Sequence, residues 1–265
     1  MAYLSPLMTI MTKAAQKAGR GLARDFGEVE NLQVSKKGTS DFVSAADLRA
    51  EQTLHAELKK ARPDFGFLME ETEKEEVVDG IHRWIIDPLD GTTNFLHGIP
   101  HFAISIALEK AGELVAGLVY NPITDEMYYA EKGMGAYLND RRLRVSARTR
   151  LEESIFATGI PFKGKGGHEP FLKQLSAVMD HSAGVRRFGS AALDLAYVAA
   201  GRYEGYWESG ILPWDIAAGI VIAKEAGGFI TDFAGKADML TRGEVLAATP
   251  DLSRPLADLL RAASA

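Results

Sequence analysis

Cysteine is absent from all 265 residues, which removes disulfides, thiolate metal sites and a cysteine nucleophile together. No apolar run approaches the ~20 residues that a membrane-spanning helix needs. The opening segment Met1–Met11 is mildly apolar, but it lacks a basic start and a cleavage site, so no leader peptide is expected and a cytoplasmic location is. Basic residues are outnumbered, 30 Lys and Arg against 36 Asp and Glu, and they nowhere gather with interleaved aromatics. Neither nucleic acid nor a membrane surface is an expected partner. Repeats, low-complexity tracts and Pro/Gly-rich linkers are also missing, so the chain is expected to pack as one unit.

What is present is ordinary globular usage, 46% hydrophobic and 25% charged. Leu7, Ile10, Met11, Ala14, Ala15, Ala18 and Leu22 recur at helical spacing and predict an amphipathic helix over the first 25 residues. Lys36–Ser40 reads as a polar loop, followed by a helix from Ser44 to the stop at Arg62-Pro63 with Asp47 in its first turn. Phe65–Met69 and Trp84–Ile86 have strand length, and both deliver carboxylates at their C-terminal ends. Four alternating segments between His101 and Arg144 predict consecutive antiparallel strands. Residues 1–145 therefore read as an α+β half. From 146 to 265, short apolar runs alternate with helices, including Ser190–Ala200 and Asp215–Ala226, which reads as an α/β half.

The chemistry concentrates in WIIDPLDGTTNF, Trp84–Phe95. A buried strand ends at Asp87, Pro88 is expected to stop its ladder, and Asp90-Gly91-Thr92-Thr93 starts a short helix. Two carboxylates at a strand end can share a hard divalent cation such as Mg²⁺, which takes oxygen ligands. The amides of Gly91, Thr92 and Thr93, with a helix dipole behind them, would cradle an anion. Taken singly, Asp90 also reads as an N-cap, Asp87 as a turn former and Asp215 as a helix cap. Glu70-Glu71 at the preceding strand end and Trp214-Asp215 at a helix start add further carboxylates, enough for a two- or three-metal site. His97 and His101 read as loop residues, since the six histidines show no ligand spacing, and the Glu73–Glu76 run reads as solvated surface.

From DFVSAADLRAE at Asp41 to WDIAAGIVIAKEAGG at Trp214, these motifs in this order resemble the inositol monophosphatase family, in particular its bacterial branch. RRFGSAALDLAYVAAGRYEGYWE, Arg186–Glu208, is similar to the substrate segment of bacterial members. The resemblance implies an alternating α-β-α-β-α layered sandwich, the α+β / α/β fold of the inositol monophosphatase and fructose-1,6-bisphosphatase type. It implies a metal held by Glu70, Asp87 and the Leu89 carbonyl, a second held by Asp87, Asp90 and Asp215, and a third, weaker Mg²⁺ near Glu70. Thr92, bonded to Asp47, would orient and deprotonate the attacking water. Asp90, Gly91, Thr92, Gly189, Ser190, Ala191, Glu208 and Asp215 would meet the substrate. Lys36 matches a family position near the third metal and reads equally well as a solvated lysine. Met69 departs from the glycine usual before the first Glu. A homodimer and lithium inhibition also follow from the resemblance.

The implied reaction is Mg²⁺-dependent hydrolysis of a phosphate monoester, with myo-inositol 1-phosphate the favoured member of the small polyol phosphates. Fructose-1,6-bisphosphate, a nucleotide 3'-phosphate and the 2'-phosphate of NADP remain open, because the motifs describe metals and phosphate rather than the leaving group. DPLDGTTN superficially resembles the signature of haloacid-dehalogenase phosphatases, but its aspartates stand three apart rather than two, and the Trp214-Asp215 motif has no place in that mechanism. A different class of function, a binding partner in a larger assembly, would leave no legible trace.

Overall fold

The computed structural model describes residues 4–28, 34–37, 41–72, 79–162, 164 and 166–264. Helix α1 (Pro6–Phe26) starts where Ser5 accepts a hydrogen bond from Met8 N and Pro6 occupies the first turn. It packs against α2 (Ala45–Ala61). Between them, β1 (Val34–Lys37) pairs antiparallel with β2 (Asp41–Ser44). The loop expected from Lys36 is thus a strand up to Lys37; its run of polar residues hides a hairpin that pairing, rather than apolar patterning, defines. Residues 38–40 and the side chain of Lys36 lie outside the described set, as does Glu73–Glu76.

A seven-stranded sheet follows: β3 (Gly66–Met69), β4 (His82–Asp90), β5 (Ala103–Lys110), β6 (Glu113–Asn121), β7 (Glu126–Glu131), β8 (Gly135–Leu138) and β9 (Arg141–Arg142), in that order. β3 and β4 are parallel and the rest antiparallel. A short helix, α3 (Thr92–Leu96), lies between β4 and β5. The second sheet has the order β11-β10-β12-β14-β13. It is built from β10 (Ile155–Thr158), β11 (Gly184–Arg186), β12 (Gly205–Ser209), β13 (Phe229–Thr231) and β14 (Glu244–Ala248), parallel among β11, β10 and β12 and antiparallel beyond. Its helices are α4 (His168–Met179), α5 (Ala191–Ala199), α6 (Pro213–Glu225) and α8 (Pro250–Ser264). The single turn α7 (Met239–Arg242) was not expected from the sequence.

Three apolar layers bind these elements. Met8, Met11 and Leu22 of α1 and Leu54 of α2 pack with Trp84 and Ile86 on one face of the large sheet. Ile85 and Val119 on the other face meet Leu193 of α5 and Ile216 and Ile220 of α6, whose far side meets Tyr206 and Val245 of the small sheet. Phe156 and Trp207 pack outward on Val178 of α4 and Leu256 of α8. The order is α-β-α-β-α. Helix α6 is buried continuously from Ile216 to Ala223, as expected of a helix that is apolar on all sides.

The site depends on a defect in β4. Asp87 pairs with Ser105 and Asp90 with Ala103, so β4 advances three residues while β5 advances two. On the regular part, Trp84 and Ile86 face α1 and α2 whereas Ile85 faces α5 and α6. The extra residue shifts the phase, placing Leu89 with the α1–α2 core and turning Asp90 to the same side as Asp87. Pro88 interrupts the ladder, as expected, but pairing resumes at Asp90, an arrangement that bulges permit.

Helix α6 can lie close on β6 because residue 117 is glycine: a Cβ there would stand 2.4 Å from the Ala218 carbonyl oxygen. Gly117→Ala should therefore overpack this layer and cost about 2–3 kcal/mol, read as a lower urea midpoint with an unchanged slope.

Candidate functional site

Four chain segments converge where β3 and β4 end. Glu70 follows β3 directly, Asp87 and Asp90 flank the bulge, Asp47 lies in the first turn of α2, and Asp215 in the first turn of α6. Asp47, Asp87 and Asp90 are buried, at 0%, 2% and 9% exposure. Glu70 and Asp215 are partly buried.

Each carboxylate is oriented by the protein. Asp87 Oδ1 accepts from Leu89 N at 2.8 Å. Asp90 Oδ2 accepts from Ser190 Oγ at 2.6 Å and from Ala192 N at 2.7 Å. Asp215 Oδ2 accepts from Leu212 N at 2.9 Å, so its helix-capping role is real. Thr92 Oγ1 donates to the Leu89 carbonyl at 3.0 Å and lies 3.4 Å from Asp47 Oδ2. Asp47, Glu70 and Glu71 each bring a carboxylate oxygen within 4.8 Å of the others, and among the described residues they are the one such trio. Asp87, Asp90 and Asp215 are less tightly gathered.

The helix that follows Asp90 differs from expectation in a detail that bears on anion binding. Gly91, at φ +99°, occupies the N-cap position in place of Asp90, because only glycine adopts that left-handed conformation without strain. With five residues, α3 is too short to carry much of a dipole. Its anion-binding capacity rests on the first N–H groups of the turn, which have no acceptor within the helix.

Electrostatics describe the chamber. Burial lifts Asp87 well above the usual carboxylate range, and Glu70, Asp90, Asp215 and Asp47 push it further. Asp215 is raised by burial, with Asp90, Glu70 and Glu208 adding to the effect. Asp47 is raised by burial and by Glu70, Glu71 and Glu51. Burial raises Asp90 to about 6 against the bonds from Ser190 and Ala192. Buried like charges of this kind are costly unless a cation or protons offset them. All the donors are oxygens, the chemistry that suits Mg²⁺.

Opposite the turn stands the second half. Gly189, at φ +85°, leads into Ser190, whose hydroxyl caps α5 by accepting from Leu193 N and also donates to Asp90. A Cβ on Gly91 would lie 3.3 Å from the Gly189 carbonyl oxygen. Ala191 begins α5. Glu208 near the end of β12 accepts from the Tyr206 hydroxyl. Its carboxylate lies against Gly159, where any Cβ would clash at 2.0 Å.

The predicted residues Asp47, Glu70, Asp87, Leu89, Asp90, Gly91, Thr92, Gly189, Ser190, Ala191, Glu208 and Asp215 thus adjoin one another. Glu51, Asp194 and Asn94 lie beside them and are not among the predicted residues. Glu71 N donates to the buried Glu51 carboxylate at 2.9 Å. Asp194, in the first turn of α5, is buried within the field of Glu208 and Asp90. Asn94 bridges the halves. A buried carboxylate at Asp194, on a helix otherwise apolar around it, was the one available signal.

Raised carboxyl values set the sign of the pH dependence. A group whose folded value exceeds its unfolded one stabilises most below the unfolded value, near 3.8, and loses that contribution as pH rises through the folded value, about 6 for Asp90; burial shifts Asp87 and Asp215 in the same direction. In EDTA the melting temperature should therefore fall as pH rises from about 4 to about 7. Divalent cation should restore it most at the alkaline end, by roughly 5–10 °C at a hundred times its Kd, measured by scanning calorimetry.

Comparison with known proteins adds identity to this geometry. Residues 3–265 match the model of the inositol monophosphatase family. The chain is 58% identical over 252 residues to the inositol-1-monophosphatase of Mesorhizobium japonicum, covering 95% of each. It is 44% identical over 247 residues to the Nus factor SuhB of Vibrio cholerae, covering 93% of this chain and 92% of that protein. The crystal structure of the extragenic suppressor protein SuhB from Bartonella henselae superposes with a TM-score of 0.95 at 56% identity, covering 97% of this chain and 99% of the other. This chain therefore belongs to the inositol monophosphatase family, a family of phosphatases.

Proposed function

We infer that the protein hydrolyses a phosphate monoester with Mg²⁺ as cofactor, and that myo-inositol 1-phosphate is its substrate. The observation that carries the reading is the set of carboxylates, Glu70, Asp87, Asp90 and Asp215, that raise one another's proton affinity beside the Thr92 turn. Such a set is useful only when a cation neutralises it. Glu70, Asp87 and the Leu89 carbonyl would hold one ion and Asp87, Asp90 and Asp215 a second, with a third, weaker one near Glu70. When bound, these ions supply the positive charge that offsets the phosphate dianion and the departing oxygen, and they acidify the attacking water.

The protein's own groups do the rest. N–H groups of Gly91, Thr92 and Thr93 receive phosphate oxygens. With the Leu89 carbonyl given over to a cation, the Thr92 hydroxyl, whose one proton goes to that carbonyl here, would turn it toward Asp47, whose raised proton affinity suits a base, and accept a hydrogen bond from the incoming water. Asp90, steadied by Ser190 and Ala192, keeps one oxygen for its ligand role. Glu208, with Gly189, Ser190 and Ala191, would receive the hydroxyls of the polyol. The same reading includes a homodimer, inhibition by lithium and a cytoplasmic location. No described helix is long and apolar enough to cross a membrane.

A second reading, partnership in a larger assembly, is favoured by relatives bearing the name Nus factor SuhB at 41–44% identity. An intact ligand set makes it an addition to catalysis rather than a replacement.

A panel of phosphate esters, assayed for released phosphate with and without Mg²⁺, should show myo-inositol 1-phosphate as the fastest substrate and no turnover in excess EDTA. Full activity in EDTA would sink the metal reading, and preference for another ester would replace the substrate. Asp90→Asn and Asp215→Asn should each lower kcat by about 10³-fold or more. Glu208→Gln should cost about tenfold to hundredfold in kcat/KM, mainly through KM. Steady-state kinetics with comparable losses at all three positions would contradict the division of roles.

A further inference from the structure

Asn94 is buried in α3, four residues beyond Asp90. Its amide nitrogen donates two hydrogen bonds of 2.7 Å, one to the His101 carbonyl and one to the Phe188 carbonyl. Both partners can only accept, so the amide orientation is fixed by chemistry and both of its protons are used. His101 belongs to the segment leading into β5, and Phe188 immediately precedes Gly189 in the second half.

The two segments that carry these carbonyls bracket the Asp90–Thr92 turn. A Cβ on Gly91 would lie 3.1 Å from the His101 oxygen and 3.3 Å from the Gly189 oxygen, and a Cβ on Gly189 would lie 3.4 Å from Asn94 Nδ2. Segment 188–192 is therefore gripped at two points by one turn of the first half. Asp90 accepts from its Ser190 hydroxyl and Ala192 amide, and Asn94 donates to its Phe188 carbonyl. Donor and acceptor at opposite ends of the segment fix its register as well as its distance. Aspartate at position 94 would oppose two carbonyl oxygens with a third acceptor and add charge beside Asp90.

We propose that Asn94 is a positioning residue that sets the leaving-group side of the site by holding Phe188-Gly189-Ser190 against the Asp90–Thr92 turn. The inference rests on the phosphatase reading above. Phosphate and cation ligands come mainly from the first half, so the groups that face them from segment 188–192 and Glu208 are left to distinguish one alcohol from another. Asn94 touches no substrate in this scheme and acts through the segment it holds.

The test uses the full-length enzyme with Mg²⁺, unaltered and as Asn94→Ala. Asn94→Leu, close in shape to the native residue and uncharged, serves as a second variant if the first does not fold. Initial rates are measured with myo-inositol 1-phosphate and with p-nitrophenyl phosphate, whose leaving group has no ring hydroxyls, and amide hydrogen exchange is followed by mass spectrometry. The ratio of the two kcat/KM values should shift against the polyol ester by about tenfold or more, mainly through its KM. Exchange should quicken in peptides spanning 188–192 rather than across the large sheet. Equal losses on both esters, unchanged exchange in that segment, or failure of both variants to fold would overturn the proposal by making Asn94 a general stability residue. If the unaltered enzyme cleaves p-nitrophenyl phosphate but not the polyol ester, the substrate reading fails instead, and the exchange measurement alone decides whether Asn94 holds the segment.

Discussion

A regular strand presents alternate residues to opposite faces, so two carboxylates three residues apart would point to opposite sides of the sheet. The extra residue between Asp87 and Asp90 overcomes this by shifting the phase of β4 against β5. Both carboxylates then face α5 and α6, while Leu89 stays in the core beneath α1 and α2. Everything that follows inherits the shift. Gly91 can turn the chain in its left-handed conformation, Thr92 reaches back to Leu89 and Asp47, and Asp90 meets the start of α5. A regular β4 would bury Asp90 among the methionines and leucines of the first layer, where a carboxylate has no partner and a large desolvation penalty.

The chamber gathers charges that the fold alone does not reconcile. Asp47, Asp87 and Asp215 are all driven toward protonation by burial and by one another. Hydrogen bonds from Leu89 N, Ser190, Ala192 and Leu212 N steady one oxygen of each of three carboxylates, but these neutral donors do not cancel the repulsion. The structure holds this arrangement because the surrounding layers are well packed. Gly117 lets α6 lie directly on β6, and Gly219 lies so close to Leu195 of α5 that an added Cβ would stand 2.5 Å from its Cβ. Stability invested in those contacts offsets a cluster of carboxylates that stays unfavourable unless a cation or protons neutralise it, the usual relation between a rigid scaffold and a strained functional centre.

Legibility in the sequence followed the range of the interaction. The apolar-all-round run of α6, the alternation through β5 to β8 and the strand-turn-helix of Trp84–Phe95 are local patterns, and their elements stand where periodicity puts them. The hairpin at Val34–Lys37 was hidden because two lysines and a serine give no apolar alternation, and α7 because one turn has no period to detect. The phase shift in β4 was invisible since it is a property of two strands, although Pro88 marked its place. Ser190 reads from the sequence as the start of a helix that the resemblance sets against substrate; its bond to Asp90, across 100 residues, has no local signature. Asn94 was passed over for the same reason, as asparagine near a helix start reads as an ordinary turn former.

This division of range corresponds to a division of labour. On the proposed reading, the groups that would handle phosphate and cation are close in sequence, from Glu70 to Thr92, with Asp47 and Asp215 added by helix starts; their spacing is set by bond lengths and one bulge. The groups assigned to the alcohol side come from β12 and the segment before α5, and their distance from the Asp90–Thr92 turn is set by long-range contacts through Asp90 and Asn94. On that reading, changing a residue in the first set would alter the reaction itself, whereas changing one in the second would alter which alcohol fits. Specificity in such an architecture can drift by small movements of one main-chain segment while the ligand set stays intact. The constraint on that drift is the pair of carbonyls that Asn94 holds, because backbone groups offer the amide the same partner whatever side chains occupy positions 101 and 188.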